Sequence, residues 1–192
     1  LRNQSAINSG IEMTIEKIFN GEFNAGMNTG NNSGIVPDNV LMGNYWLDKT
    51  QLSQIRVSGL NHTRRYRFGF FGSSSPNGWF KGNYTATYTI NDRTVYLNSW
   101  ENKSKIVYIG DVTPDENGEV MLNFSTTLAA SYGFNGGVII YEYVDQQGGT
   151  VKNMIRPSDG SEELVNERSP AVDQTDLNAL HARMYPNPFH DF

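Results

Sequence analysis

The stretch YTATYTINDRTVYLNSW, residues 84–100, decides the fold. Both of its halves alternate apolar residues with polar ones, and a period of two is typical of a half-buried strand. Between the halves, Asn91 and Asp92 both tolerate the positive φ that a tight hairpin turn requires. The stretch therefore predicts two antiparallel strands joined by a short turn.

Six further runs have the same character, because they are short, rich in β-branched and aromatic residues, and bounded by turn residues. They are residues 12–19, 52–60, 66–72, 105–112, 119–124 and 137–144. The turn in TPDENGEV contains Gly118, which we expect to be left-handed. Short strands at intervals of about 10–15 residues predict an all-β protein, a β-sandwich of the jelly-roll type.

The composition excludes several classes of function. The 192 residues carry a net charge of −5, which argues against nucleic acid and against an anionic membrane surface as partners. No apolar run approaches the roughly 20 residues of a membrane span, so membrane insertion is not expected. The chain has no cysteine, which excludes disulfides, thiolate catalysis and cysteine metal sites.

The domain boundaries follow from where the strand pattern stops. Residues 1–156 are predicted to form the sandwich, which includes a long Asn/Gly-rich loop at 20–39. Residues 157–184 are a polar linker, and its last part, 173–184, suits either a short helix or an extended tail. Residues 185–192 form a separate C-terminal phrase.

That phrase contains Tyr185, Pro186, Asn187 and Pro188. With the following Phe189 it resembles the opening of the type A C-terminal sorting domain, which Gram-negative bacteria use as the address for type IX secretion. In that family the phrase follows a polar linker and begins a small β-sandwich. The resemblance implies a truncated sorting domain, a secreted or cell-surface protein, and the secretion machinery as a partner.

The body of the chain carries a second resemblance. VSGL at 57–60 is followed by YRFGFFGS, YTATYTIN, VTPDENGEVMLNF and YGFNGGVIIYEY. This order is similar to the galactose-binding-like jelly rolls that accompany secreted glycoside hydrolases and esterases, and it covers about half of the chain. Such modules commonly bind polysaccharide, some hold a structural calcium, and many have no known ligand.

Catalytic signatures are scarce. The three histidines, His62, His181 and His190, form no H-E-x-x-H motif, and G-x-S-x-G is absent. The serines of GSSSP (72–76) read as a loop that leaves a strand. A pair of catalytic carboxylates stays open, but a domain of this size rarely supplies the deep cleft such a pair needs. The sequence therefore predicts a protein that is not an enzyme, with attachment to a secreted hydrolase as an option.

Aromatic residues among turn residues are the candidate binding groups. Sugars present flat C–H faces that stack on rings, and hydroxyls that hydrogen-bond to amides and carboxylates. Trp79 and Phe80 lie in a Gly/Pro/Asn-rich loop, where an exposed pair of rings is expected to be functional. The other candidates are Tyr45, Trp46, Asn83 and Trp100. For Trp46 and Trp100 the alternative is that each ring caps the core.

A calcium site is a weaker hypothesis. Hard cations take six to eight oxygen ligands, and Asp115, Asn117 and Glu119 cluster such ligands. The same residues also suit a simple hairpin turn. No cofactor is predicted, and a structural calcium is left open.

The sequence is consistent with three functions. The leading one is non-catalytic binding of polysaccharide by ring stacking, in an accessory module of a secreted or cell-surface protein. The first rival is a structural or adhesive spacer whose aromatic residues lie in the core. The second is a small glycan-active hydrolase.

Overall fold

The computed structural model of the chain describes residues 8–75 and 82–143, together with the backbone of 182–184. One short helix, α1 (Asp38–Met42), accompanies the strands in these residues. The strands are β1 (Glu12–Lys17), β2 (Gly21–Phe23), β3 (Asn44–Asp48), β4 (Ser53–Ser58), β5 (Tyr66–Phe71), β6 (Thr85–Ile90), β7 (Arg93–Asn98), β8 (Val107–Val112), β9 (Val120–Thr126), β10 (Tyr132–Asn135), β11 (Gly137–Glu142) and β12 (Ala182–Met184).

All eight strands that the sequence predicts are present, as β1, β4, β5, β6, β7, β8, β9 and β11. Both predicted turns are also confirmed, since Asn91 has a φ of 53° and Gly118 a φ of 74°. Strands β2, β3 and β10 and helix α1 were not predicted. Strand β2 lies within the region read as a long loop, 20–39, and the helix begins at its end.

The strands form an antiparallel β-sandwich, as predicted. One sheet has the order β1-β4-β9-β6-β7 and the sheet facing it has the order β12-β11-β5-β8. A third sheet, β10-β3-β2, adjoins this pair. Among the described strands, every pairing between neighbours is antiparallel.

The main core lies between the two larger sheets. Alternate residues of the central strands point inward, including Ile55 from β4, Phe68 from β5 and Leu122 from β9, and all three are fully buried. Across the layer, the rings of Phe70 and Tyr88 stack with centroids 4.6 Å apart. Burying side chains of this size contributes roughly 1.5–3 kcal/mol each, so this layer supplies most of the driving force for folding.

The third sheet is fastened to the sandwich from both sides. Leu47 of β3 packs into the main core, while Trp46 faces the other way. The fully buried hydroxyl of Tyr88 donates to the carbonyl oxygen of Phe134 in β10 at 2.9 Å. The third sheet is thus held at a fixed position on the sandwich.

One carboxylate holds residues 29–38, the second half of the region read as a long loop. Asp38 accepts hydrogen bonds from the amide and hydroxyl of Thr29, at 2.9 and 2.6 Å, and from the amide of Asn32 at 3.1 Å. These bonds lower the pKa of Asp38, the hydroxyl of Thr29 contributing most.

The end of the chain adds one strand to the sandwich. Residues 182–184, the last of the predicted linker, pair with β11 through Val138↔Met184 and its neighbours, so they are extended and not helical. The remainder of the linker and the whole of 185–192, with the sorting phrase, lie outside the described residues. Within the described ranges, no helix has the length and hydropathy of a membrane span.

Candidate functional site

Two of the three tryptophans meet in one aromatic cluster on the outer face of the third sheet. We define the aromatic cluster as Phe23, Trp46, Tyr84, Trp100, Tyr132 and Phe134. The register of the third sheet explains why these side chains lie together. Phe134 lies opposite Trp46 and Tyr132 lies opposite Asp48, so all of these side chains project to the same face. Tyr84 and Trp100 then pack on this face from the β6 and β7 side.

The rings of the cluster form a row and a perpendicular branch. Tyr84 stacks on Trp100 with centroids 5.4 Å apart and planes 28° apart, and on Tyr132 at 6.4 Å and 16°. Trp46 instead meets the edge of Tyr132 at 5.6 Å and 85°. Tyr84 is buried, whereas Trp46, Trp100 and Tyr132 are half-buried. Burial raises the pKa of Tyr84, and the nearby Tyr132 adds to the rise, so Tyr84 stays neutral.

A rigid turn holds Trp100 at the rim of this cluster. Ser74 pairs with Trp100 in an isolated parallel bridge, and its amide donates to the carbonyl of Ser99 at 2.8 Å. Asn102 fixes the rest of the turn, since its Nδ2 donates to the carbonyls of Gly72 and Lys105, at 2.9 and 3.0 Å. The backbone position of the indole is therefore set before any ligand arrives.

Trp100 forms one wall of a shallow depression with a volume of about 410 Å³. We call it the Trp100 depression, and its lining residues are Asn98, Trp100, Glu101, Asn102, Lys103, Ser104 and Lys105. Glu101, Lys103 and Lys105 are exposed and form no ion pair with any other residue that the structure describes. A half-buried indole thus stands beside amide, carboxylate and ammonium groups.

The loop that carries Trp79 and Phe80 starts next to this turn. Its first anchor, Ser75, donates its amide to the carbonyl of Ala25 at 2.9 Å and follows Ser74, the partner of Trp100. Ser75 also lines a second depression of about 310 Å³, formed mainly by residues 24–28. Trp79 and Phe80 themselves lie outside the described residues.

The remaining predicted binding residues do not join the cluster. Tyr45 projects from the other face of β3, where it stacks on Phe19 at 4.9 Å, and burial followed by the charge of Glu22 raises its pKa. We therefore leave Tyr45 out of the site. Asn83 is exposed and uses its side-chain oxygen to accept from the amide and hydroxyl of Thr85 at the start of β6.

The candidate calcium ligands are engaged within their own hairpin. Asp115 accepts from the amides of Asn117 and Glu119, at 3.0 and 2.8 Å. Glu119 in turn pairs with Arg56 at 2.7 Å. Across the described ranges, no three His, Asp or Glu side chains cluster in a way that suits a metal ion. A structural calcium remains a prediction.

Two serines of GSSSP, Ser73 and Ser74, donate their hydroxyls to backbone carbonyls. The hydroxyl of Ser73 donates to the carbonyl of Asn102 at 2.7 Å, and that of Ser74 donates to Ser99 at 3.2 Å. Both side chains are buried. His62 is exposed in its turn, and the other two histidines lie outside the described residues.

Comparison with known proteins gives one distant likeness. No protein-family model matches the chain, and no curated protein matches it. The chain is similar to a solved structure of the carbohydrate-binding module TmCBM61 in complex with β-1,4-galactotriose. The similarity has a TM-score of 0.36 and 17% identity, and it covers 69% of this chain and 88% of that module. At these values the ligand of that module says nothing about the ligand of this chain.

Proposed function

We propose that this β-sandwich is a non-catalytic carbohydrate-binding module and that it takes its ligand at the Trp100 depression. The observation that carries the proposal is the half-buried indole of Trp100, which forms the wall of a depression lined otherwise by polar groups. A pyranose ring is bound by such a combination of an aromatic ring and polar groups. Its C–H face stacks on the aromatic ring, and its hydroxyls form hydrogen bonds with the polar groups.

In this proposal each part of the site has a role. Tyr84 covers one face of the indole, so the sugar stacks on the face that Tyr84 leaves uncovered. Asn98, Glu101 and Lys103 supply an amide, a carboxylate and an ammonium group for the sugar hydroxyls. The turn through Ser74 and Asn102 is already hydrogen-bonded, so little ordering is needed on binding.

The depression is open and shallow, and a site that buries little surface binds weakly. We therefore expect a single module to hold polysaccharide loosely. Tight attachment then depends on several contacts along one glycan chain, or on several modules in one protein.

Affinity electrophoresis in gels that contain neutral galactan, xylan or glucan tests the proposal. Trp100→Ala removes the stacking ring, and we expect a loss of about tenfold in affinity, which corresponds to about 1.4 kcal/mol. Tyr143→Ala is the matched control, because Tyr143 is another half-buried aromatic residue, beyond the far end of β11.

The two variants must unfold at similar temperatures for the comparison to hold. If the wild type binds and Trp100→Ala binds equally well, the site is wrong. If the folded wild type binds none of the glycans, the domain is a spacer, which is the rival function. Trp79→Ala in the same gels tests the sequence-based prediction that Trp79, in the stretch 73–84, is a sugar-binding ring.

We further propose that the protein is exported to the cell surface or the medium. The support for this is the phrase from Tyr185 to Pro188, which resembles a sorting-domain opening. Fractionation of the source cells, followed by detection with an antibody raised against the domain, tests it. Retention of the protein in the cytoplasm contradicts the proposal.

A further inference from the structure

The outer face of the β12-β11-β5-β8 sheet carries an arginine and two tyrosines around a glycine. In the register of this sheet, Arg67 lies opposite Tyr141, and Gly69 lies opposite Tyr108. Alternation along β5 places Arg67 and Gly69 on the same face, since Phe68 and Phe70 point into the core. Arg67, Tyr108 and Tyr141 are all half-buried.

The glycine allows the tyrosine to lie flat across the sheet. A Cβ atom placed at Gly69 would approach Cε1 of Tyr108 to 2.8 Å and Cγ2 of Ile106 to 3.1 Å. A side chain at this position would therefore displace the ring. With glycine there, the ring of Tyr108 lies over the backbone of β5.

The guanidinium of Arg67 lies over the ring of Tyr108. Its Cζ is 3.7 Å from the centroid of Tyr108, which is a close cation–π contact. The contact fixes the long side chain in one orientation. A guanidinium held over a ring directs its N–H groups outward from its edges, where a carboxylate can accept two of them at once.

Arg67 is also without an acidic partner among the residues that the structure describes, in contrast to its neighbours along the chain. Arg64 pairs with Glu142 at 3.6 Å and Arg65 pairs with Asp111 at 3.0 Å. The guanidinium of Arg67 forms no ion pair and no hydrogen bond with any residue that the structure describes. A shortage of acids does not explain this, because the chain has 20 Asp and Glu residues against 15 Lys and Arg residues.

We propose that this face is a second glycan site, specific for acidic sugars, in which Arg67 binds the carboxylate of a uronic acid. The pyranose ring lies toward Tyr141, whose ring centroid is 6.2 Å from that of Tyr108. A uronate carries its carboxylate directly on the sugar ring. One sugar unit can therefore accept hydrogen bonds from the guanidinium while its C–H face contacts an aromatic side chain. The charges of ligand and arginine are complementary.

This site is separate from the Trp100 depression and does not rest on it. Arg67 lies near the start of β5, whereas the chain reaches Ser74, the partner of Trp100, only after β5 has ended. Arg67, the second residue of β5, and Phe71, its last, are about 13 Å apart at the usual rise of a strand. The two sites can therefore fail or succeed independently.

Affinity electrophoresis in gels containing polygalacturonate tests the inference. We expect retardation of the wild type and at least a tenfold loss of affinity in Arg67→Gln. Arg67→Lys keeps the charge but loses the planar fork, and we expect it to bind several-fold more weakly than the wild type. Arg65→Gln is the matched control, because it makes the same charge change two residues away on an arginine that already has a partner. It should bind like the wild type.

Three results would overturn the inference. One is equal retardation of the wild type and Arg67→Gln, when thermal unfolding shows that both are folded. The second is an equal loss in Arg65→Gln, which would reveal attraction between net charges only. The third is equally strong retardation by polyglutamate, which would mean that the face binds acidic polymers of any kind, peptides included.

Discussion

The hydroxyl of Tyr88 is fully buried, and it donates to the carbonyl of Phe134 at 2.9 Å. Replacing Tyr88 by Phe keeps the ring, and with it the stack on Phe70 at 4.6 Å, but deletes this bond. Because the carbonyl is left without this donor in a buried place, we expect the free energy of unfolding at pH 7 to fall by about 1–2 kcal/mol. For a chain of this size that is a fall of roughly 2–8 °C in Tm.

The same hydroxyl makes the effect depend on pH. Burial raises the pKa of Tyr88 above its ordinary value of 10.0, so the folded state keeps the proton where the unfolded chain releases it. The stability tied to this group is complete below pH 10 and is lost as the pH rises further. By pH 11 the wild type loses on the order of 1 kcal/mol from this group, and Tyr88→Phe loses none from it.

Urea unfolding at pH 7, 10 and 11 checks this reasoning. The difference in unfolding free energy between wild type and Tyr88→Phe should shrink above pH 10 and come close to zero near pH 11. Tyr96→Phe is the control, because Tyr96 is 59% exposed and its variant should match the wild type at every pH. A difference for Tyr88→Phe that stays constant from pH 7 to 11 would refute the argument.

Two further predictions concern charged groups. Arg56 pairs with Glu16 and Glu119, both at 2.7 Å, and joins β4 to β1 and to the start of β9. Because all three side chains are about a third exposed, water screens these pairs, and Arg56→Ala should lower the midpoint of urea unfolding only slightly. An equal lowering in 1 M NaCl would contradict an electrostatic origin. The hydrogen bonds from Thr29 lower the pKa of Asp38, so the stability that they give is present above its ordinary pKa of 3.8 and is lost as the pH falls through the lowered value. Hydrogen exchange of the Thr29 amide, measured by NMR, should therefore become faster in acid relative to that of neighbouring amides. Asp38→Asn should abolish this dependence on pH. A Thr29 amide whose relative exchange rate is unaffected by acid would contradict the argument.

The long strands of the sandwich could be predicted because each buries one face. Tyr88 and Ile90 alternate with Thr87 and Thr89, and the alternation survives in the burial of β6. Strand β3 could not be predicted in this way. Leu47 faces the core and Trp46 faces the aromatic cluster, so both sides are covered and no alternation shows in five residues.

The candidate site, like the fold, could be predicted only in part from the sequence. Trp100 could be singled out from the sequence as a large ring in a polar turn. That it shares a cluster with Trp46 depends on the pairing of β3 with β10, and the spacing of residues along the sequence does not predict this pairing. Tyr132 was missed for that reason. Arg67 was not among the residues that the sequence predicted for a site. Gly69 on the same face was a usable signal, because a glycine inside a strand often marks the close approach of another group.

Strand β12 matters beyond the three residue pairs that it makes. Without it, β11 would be the last strand of its sheet, and the backbone groups of Val138 to Ile140 that it pairs would lose that partner. Such an open edge is a template for a strand from another molecule. A shorter form of this domain that stops before Ala182 would therefore be prone to self-association, and its solubility would depend on residues that belong by sequence to the tail.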